Sequence, residues 1–153
     1  MQARILILCC GNPARGDDAI GEALFERLDK LGTVEVLFDD QLHIEHVFDL
    51  EEHDCTVFVD AAVNMAKPFE MRAVFPKAET SHSTHVLSPE ALLEIYERVM
   101  KKRAPECHLL CVKGISFGLG EPLSGEAERN LEMAWDFLKD FLLWKRSLSG
   151  LES

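Results

Sequence analysis

Two neighbouring acids, Asp17 and Asp18, follow Gly11-Asn12-Pro13-Ala14-Arg15-Gly16. A third, Asp60, closes the apolar run Cys55-Thr56-Val57-Phe58-Val59, and His85 sits in a polar stretch at 81–90. Two carboxylates with one imidazole form a mixed oxygen and nitrogen donor set. Such a set suits a divalent ion of borderline softness, nickel or zinc, with positions left over for water or substrate. A carboxylate at such a place can also accept a proton. The plainer role of an Asp before a helix is to cap it, because its oxygen accepts a free backbone N–H and its charge matches the positive helix end. One Asp meets that need, which leaves the other of the pair for a cation or a proton.

Other candidates carry less. His43 and His46 have the i, i+3 spacing of a metal pair, but no third ligand adjoins them, and with His53 they read as the solvated face of a short helix. The five cysteines, at 9, 10, 55, 107 and 111, include no C-x-x-C pair and mostly fall in apolar runs. They read as buried reduced thiols rather than a zinc site. Gly114, Gly118 and Gly120 follow neither the dinucleotide nor the P-loop spacing, so no phosphate cradle is expected there.

The elements that must carry these residues alternate. Apolar strands are expected at 5–10, 33–38, 55–62 and 108–113, and an alternating one at 69–75 suits an antiparallel edge. Between them fall helices at 19–30, with Asp17 or Asp18 as its N-cap, and 42–50. A third, at 89–100, has Ser88 as N-cap and Pro89 at its first position. Ser124 caps a closing helix at 125–145 with a wide apolar stripe, and 147–153 reads as a frayed tail after one domain at 1–146. Short connections between alternating elements give a three-layer α/β/α sandwich with a mainly parallel five-stranded twisted sheet and one antiparallel edge strand. In such a sheet ligands bind at the carboxyl ends of the strands, where Asp17, Asp18 and Asp60 emerge.

The chain has 153 residues, 47% of them apolar, and a net charge of −11. That charge disfavours nucleic acid and anionic membrane as partners. No segment has the form of a secretory signal, and none approaches the length of a bilayer span, so a cytoplasmic location is expected.

In kind and order, Gly11-Asn12-Pro13-x-x-Gly16-Asp17-Asp18-Ala19-Ile20-Gly21, then Val59-Asp60-Ala61, then Ser83-Thr84-His85 resemble the [NiFe] hydrogenase maturation proteases. These are nickel-dependent endopeptidases. The resemblance runs on through Gly120-x-Pro122-Leu123-Ser124 to the final helix. It implies a substrate, the hydrogenase large-subunit precursor, whose C-terminal extension is cut once nickel is in place. It also implies that nickel arrives with the substrate and that no organic cofactor is needed. The family's metal-contacting positions fall on Asp18, Asp60 and His85, with Asp17 as acidic neighbour and candidate proton acceptor. Two departures stand out. Cys9 and Cys10 occupy positions where relatives carry Gly, and Gln41-Leu42-x-x-Glu45 replaces a Gly-Gly-Thr loop. This Gln-Leu-x-x-Glu motif resembles the branch serving NAD-linked or bidirectional hydrogenases. A hydrolase carrying its own zinc and a non-catalytic nickel-sensing module are the alternatives.

Overall fold

A computed structural model of the chain describes residues 3–79 and 86–152. Strands β1 (Ile5–Cys10), β2 (Glu35–Asp39), β3 (Cys55–Ala62), β4 (Phe69–Ala73) and β5 (Glu106–Lys113) form one sheet. Helices α1 (Ile20–Leu31), α2 (Val47–Glu51), α3 (Pro89–Met100) and α4 (Gly125–Glu152) flank it, with 3-10 turns at Gly16–Ala19 and Ile44–His46. The strand order is β2-β1-β3-β5-β4; every neighbouring pair is parallel except β4 with β5, which is antiparallel. The expected three-layer architecture, with its antiparallel edge, is what the chain forms.

Strand alternation divides the core into two layers. Ile5, Ile7 and Cys9 of β1 face α1 and α4, packing with Ile20, Leu24, Leu28, Leu131 and Leu138. Leu6, Leu8 and Cys10 face the other way, toward Leu50, Leu92, Leu93 and Tyr96 of α2 and α3. Because β1 and β3 are buried on both faces, they read in sequence as unbroken apolar runs. The adjacent cysteines therefore part company: Cys9 lies in one core layer and Cys10 at the edge of the other.

Strand ends shift by one or two residues, β2 covering Glu35–Asp39, β4 Phe69–Ala73 and β5 Glu106–Lys113, and the helices differ from the sequence reading in three further ways. The short second helix begins as a 3-10 turn and covers only Val47–Glu51 as α-helix. Helix α4 continues to Glu152 through the segment read as a tail, because propagating an established helix costs little and one glycine does not end it. Helix α1 has Ala19 in the N-cap position with no side chain capping it, so neither Asp17 nor Asp18 serves as its cap. Ser88 does cap α3, accepting the Ala91 N–H at 3.1 Å, with Pro89 following. Among the described residues no helix is long and apolar enough to cross a membrane.

Candidate active site

The chain leaves β1 toward β2 on one side and reaches β3 on the other, so the carboxyl ends of β1 and β3 flank a topological switch point. Connections diverge there and leave a crevice. A cavity of about 420 Å³ occupies it, walled by Cys10, Gly11, Asp18, Asp40, Leu42, Asp60 and Cys111, with Val86 and Pro89 across from them. A larger trough of about 940 Å³ lies at the opposite edge of the sheet, against Phe75 and Glu106–His108. The smaller cavity is the candidate site, since it gathers carboxylates from three successive strand ends.

The turn after β1 is shaped by close backbone approaches. Gly11 has φ +152°, and a Cβ there would stand 2.2 Å from the Asp18 carbonyl oxygen. Gly16 has φ +54°, and a Cβ there would stand 2.4 Å from the Ser116 carbonyl oxygen. Only glycine fits either place without displacing main chain. The Asn12 N–H donates to Asp18 Oδ2 at 2.7 Å and holds the side chain beside the cavity.

Asp60 lies on β3 one register step beyond the Cys9–Val59 pair. It is open to solvent yet set among cavity walls. Removal of surrounding water raises its pKa, the Asp18 charge raises it further, and a hydrogen bond from the Ala61 backbone opposes both; the result is about 7. Two carboxylates that repel each other across a cavity are stabilised by a proton or a cation between them. Burial, then the charges of Asp60, Asp39, Asp40 and Asp18, push the Cys10 thiol up to about 12, so it remains protonated and is no nucleophile at neutral pH.

The structure separates the acidic pair. Asp17 is 0% exposed. Its carboxylate accepts hydrogen bonds from the backbone N–H groups of Ile115 (2.7 Å), Ser116 (3.0 Å) and Ser124 (2.7 Å), and from the Ser124 hydroxyl (2.8 Å). Burial acts to raise its pKa, but these donors outweigh it and hold the carboxyl below its ordinary value. Ser124 Oγ in turn accepts the Ala127 N–H and caps α4. Asp17 thus locks the turn after β1 to the loop after β5, and its oxygens do not reach the cavity. The expected role of proton acceptor does not suit a carboxylate so held, and Asp17 is not among the residues lining the cavity.

His85 lies outside the described residues; Val86, its neighbour in sequence, lines the cavity. The histidines read as a solvated face are largely buried instead: His46 is 8% exposed and His53 is 6% exposed, the latter paired with Glu35 at 2.6 Å. Asp40 and Cys111 join the cavity although sequence patterns alone do not point to them. The signal for Asp40 is nonetheless present, since Asp39-Asp40 ends β2 as Asp60 ends β3, at the same sheet edge.

No family model matches the chain, and no curated protein matches it. Solved structures do. The [NiFe] hydrogenase maturation protease HycI from Thermococcus kodakarensis KOD1 is 27% identical with a TM-score of 0.70, over 92% of this chain and 93% of that one. The protease HybD from Thermococcus kodakarensis is 20% identical with a TM-score of 0.66, over 90% of this chain and 98% of that one. The hydrogenase maturating endopeptidase HybD from E. coli is 22% identical with a TM-score of 0.67, over 88% and 89%. With the same fold along nearly its whole length, and with Asp18 and Asp60 at the switch point of the sheet, the chain is a structural relative of the [NiFe] hydrogenase maturation proteases.

Proposed function

We propose that this chain is an endopeptidase that removes the C-terminal extension of a nickel-loaded [NiFe] hydrogenase large-subunit precursor. The observation that carries the reading is the pair Asp18 and Asp60 on one solvent-open cavity at the sheet's switch point, with Asp60 raised to about 7 by its surroundings and by Asp18. Oxygen donors of this kind fit a divalent ion, and His85, next in sequence to the cavity residue Val86, is the proposed nitrogen donor. The nickel is part of the substrate; bound beside the scissile amide it supplies Lewis-acid polarisation of a carbonyl or of water.

The chain's own residues hold and orient these donors. The Asn12 N–H fixes one oxygen of Asp18, so that carboxylate presents a set direction to the cavity. With no ion bound, burial and then the Asp18 charge raise the Asp60 carboxyl to about 7; a divalent ion between the two carboxylates would favour its charged, ligating form. The turn containing Gln41 and Leu42 forms another wall, and Gln41-Leu42-x-x-Glu45 is proposed to select the precursor of an NAD-linked or bidirectional hydrogenase.

Mass spectrometry of nickel-loaded and nickel-free precursors incubated with the protein tests this. A nickel-dependent loss of the C-terminal peptide is expected, and it should vanish for Asp18→Asn and Asp60→Asn. An unchanged precursor mass, with complex formation intact, would favour a docking module. Near-stoichiometric zinc in the purified protein would favour a hydrolase carrying its own ion.

A further inference from the structure

We propose that the chain forms a two-fold homodimer through the open edge of β4, which joins the two sheets into one and sets the α4 helices of both copies side by side. The inference goes beyond the proposed proteolysis and does not depend on it. β4 ends the strand order and pairs with β5 alone, antiparallel. The Lys113 N–H donates to the Pro68 carbonyl and the Val74 N–H to the Cys107 carbonyl, each at 2.9 Å. In an antiparallel ladder such hydrogen-bonded pairs alternate with pairs whose main-chain groups point the other way. Glu70 and Arg72 therefore bond inward to β5, while Phe69, Met71 and Ala73 turn their N–H and C=O groups outward, as a template for another strand.

The side chains select the occupant and its register. An added antiparallel strand must align its own outward main-chain groups with those of Phe69, Met71 and Ala73. Two copies of β4 do so about a two-fold axis at Met71, which sets Met71 against Met71 and Phe69 against Ala73 of the second copy. The same register places Glu70 directly opposite Arg72 of the second copy, twice over, in the closely spaced pairs where cross-strand charges interact most. Moving the axis by one residue sets Glu70 against Glu70 or Arg72 against Arg72. Both side chains are exposed; among the described residues Glu70 forms no ion pair, and Arg72 reaches Glu90 at 2.6 Å. The opposite edge of the sheet, β2, carries Glu35 and Asp39 and no base, so no two-fold register there brings opposite charges together.

The α4 helix supplies apolar surface beside the same edge. A two-fold axis perpendicular to the sheet leaves both α4 helices on one face. Phe137 of α4 meets Phe69 of β4 at 5.2 Å between ring centroids, yet it stays 37% exposed. Met133, Trp144 and Leu148 share its helical face, at spacings of four and seven residues, and all three are exposed. In the dimer these stripes run antiparallel on either side of the axis, so apolar burial adds to main-chain pairing that would be marginal alone.

Sedimentation velocity and light scattering on the full chain should show a species of twice 17.3 kDa at micromolar concentration. Glu70→Arg sets a base against Arg72 twice and should raise the dimer dissociation constant by about tenfold or more. Adding Arg72→Glu restores opposite charges in the reversed sense and should recover the dimer, a rescue expected only where the two positions meet across the axis. Ala73→Pro, at an exposed position whose N–H points away from β5, removes a main-chain bond of the dimer and none of the monomer, and it should weaken association too. Circular dichroism checks that each variant folds, and Trp144→Glu replaces the Pro variant should that one unfold. A chain that stays monomeric overturns the proposal and leaves the edge to an extended segment of another protein. A dimer indifferent to Glu70→Arg, or a folded double variant no tighter than Glu70→Arg alone, overturns it equally.

Discussion

Replacing Asp17 by Asn separates a structural carboxylate from a chemical one. Four donors converge on Asp17 in the native chain, three backbone N–H groups and the Ser124 hydroxyl, at 2.7–3.0 Å. Asn keeps one accepting oxygen and turns an NH₂ toward the remaining donors, so about two hydrogen bonds to a charged acceptor are lost, each worth roughly 1.5–3 kcal/mol. The expected cost is therefore about 3–6 kcal/mol, which lowers the melting temperature by roughly 6–24 °C in a chain of this size. The sign with pH follows from the lowered pKa. Asp17 stabilises fully above the unfolded carboxyl value of about 3.9 and loses that contribution as pH falls through its lower folded value. Scanning calorimetry from pH 3 to 8 should show the parent losing stability at the acid end more steeply than Asp17→Asn. A variant that melts within about 2 °C of the parent yet fails to process precursor would refute the assignment and return Asp17 to the chemistry.

Asp60→Asn should have the opposite signature. Its raised pKa means the folded state resists the charged form, so native Asp60 costs stability progressively as pH rises from the ordinary carboxyl range through about 7. After allowance for solvent screening, removing the charge should stabilise the fold by about 1 kcal/mol at pH 8 while abolishing processing, and a destabilised variant would contradict the repulsion argued with Asp18. Gly16→Ala should lower stability by roughly 1–3 kcal/mol in urea unfolding, because the new Cβ meets the Ser116 carbonyl at a positive φ; an unchanged midpoint would show that the turn yields freely. Burial raises the pKa of Cys9, Cys10, Cys55, Cys107 and Cys111 alike, so iodoacetamide at pH 7.5 should label the folded chain slowly, with the half-buried Cys111 first. Rapid modification of Cys10 by peptide mapping would contradict its placement.

By itself the amino-acid sequence determined the alternation of elements and the sheet edge at which the acids emerge. Both are written in local patterns: unbroken apolar runs for β1 and β3, Ser88-Pro89 at the start of α3, Ser124 before α4. Those signals survive folding because each is set by neighbours within a few residues. What only the tertiary structure decided was the work of individual side chains. Asp17 and Asp18 are adjacent and chemically identical, yet one meets donors nearly a hundred residues away on the loop after β5 and the other faces a cavity shared with Asp60. Likewise His46 and His53 became buried partners of Asp39 and Glu35, a pairing that depends on where α2 settles against β2. A carboxylate's role follows from which donors and charges lie within a few ångströms, and for these residues that neighbourhood is assembled from segments far apart in the chain.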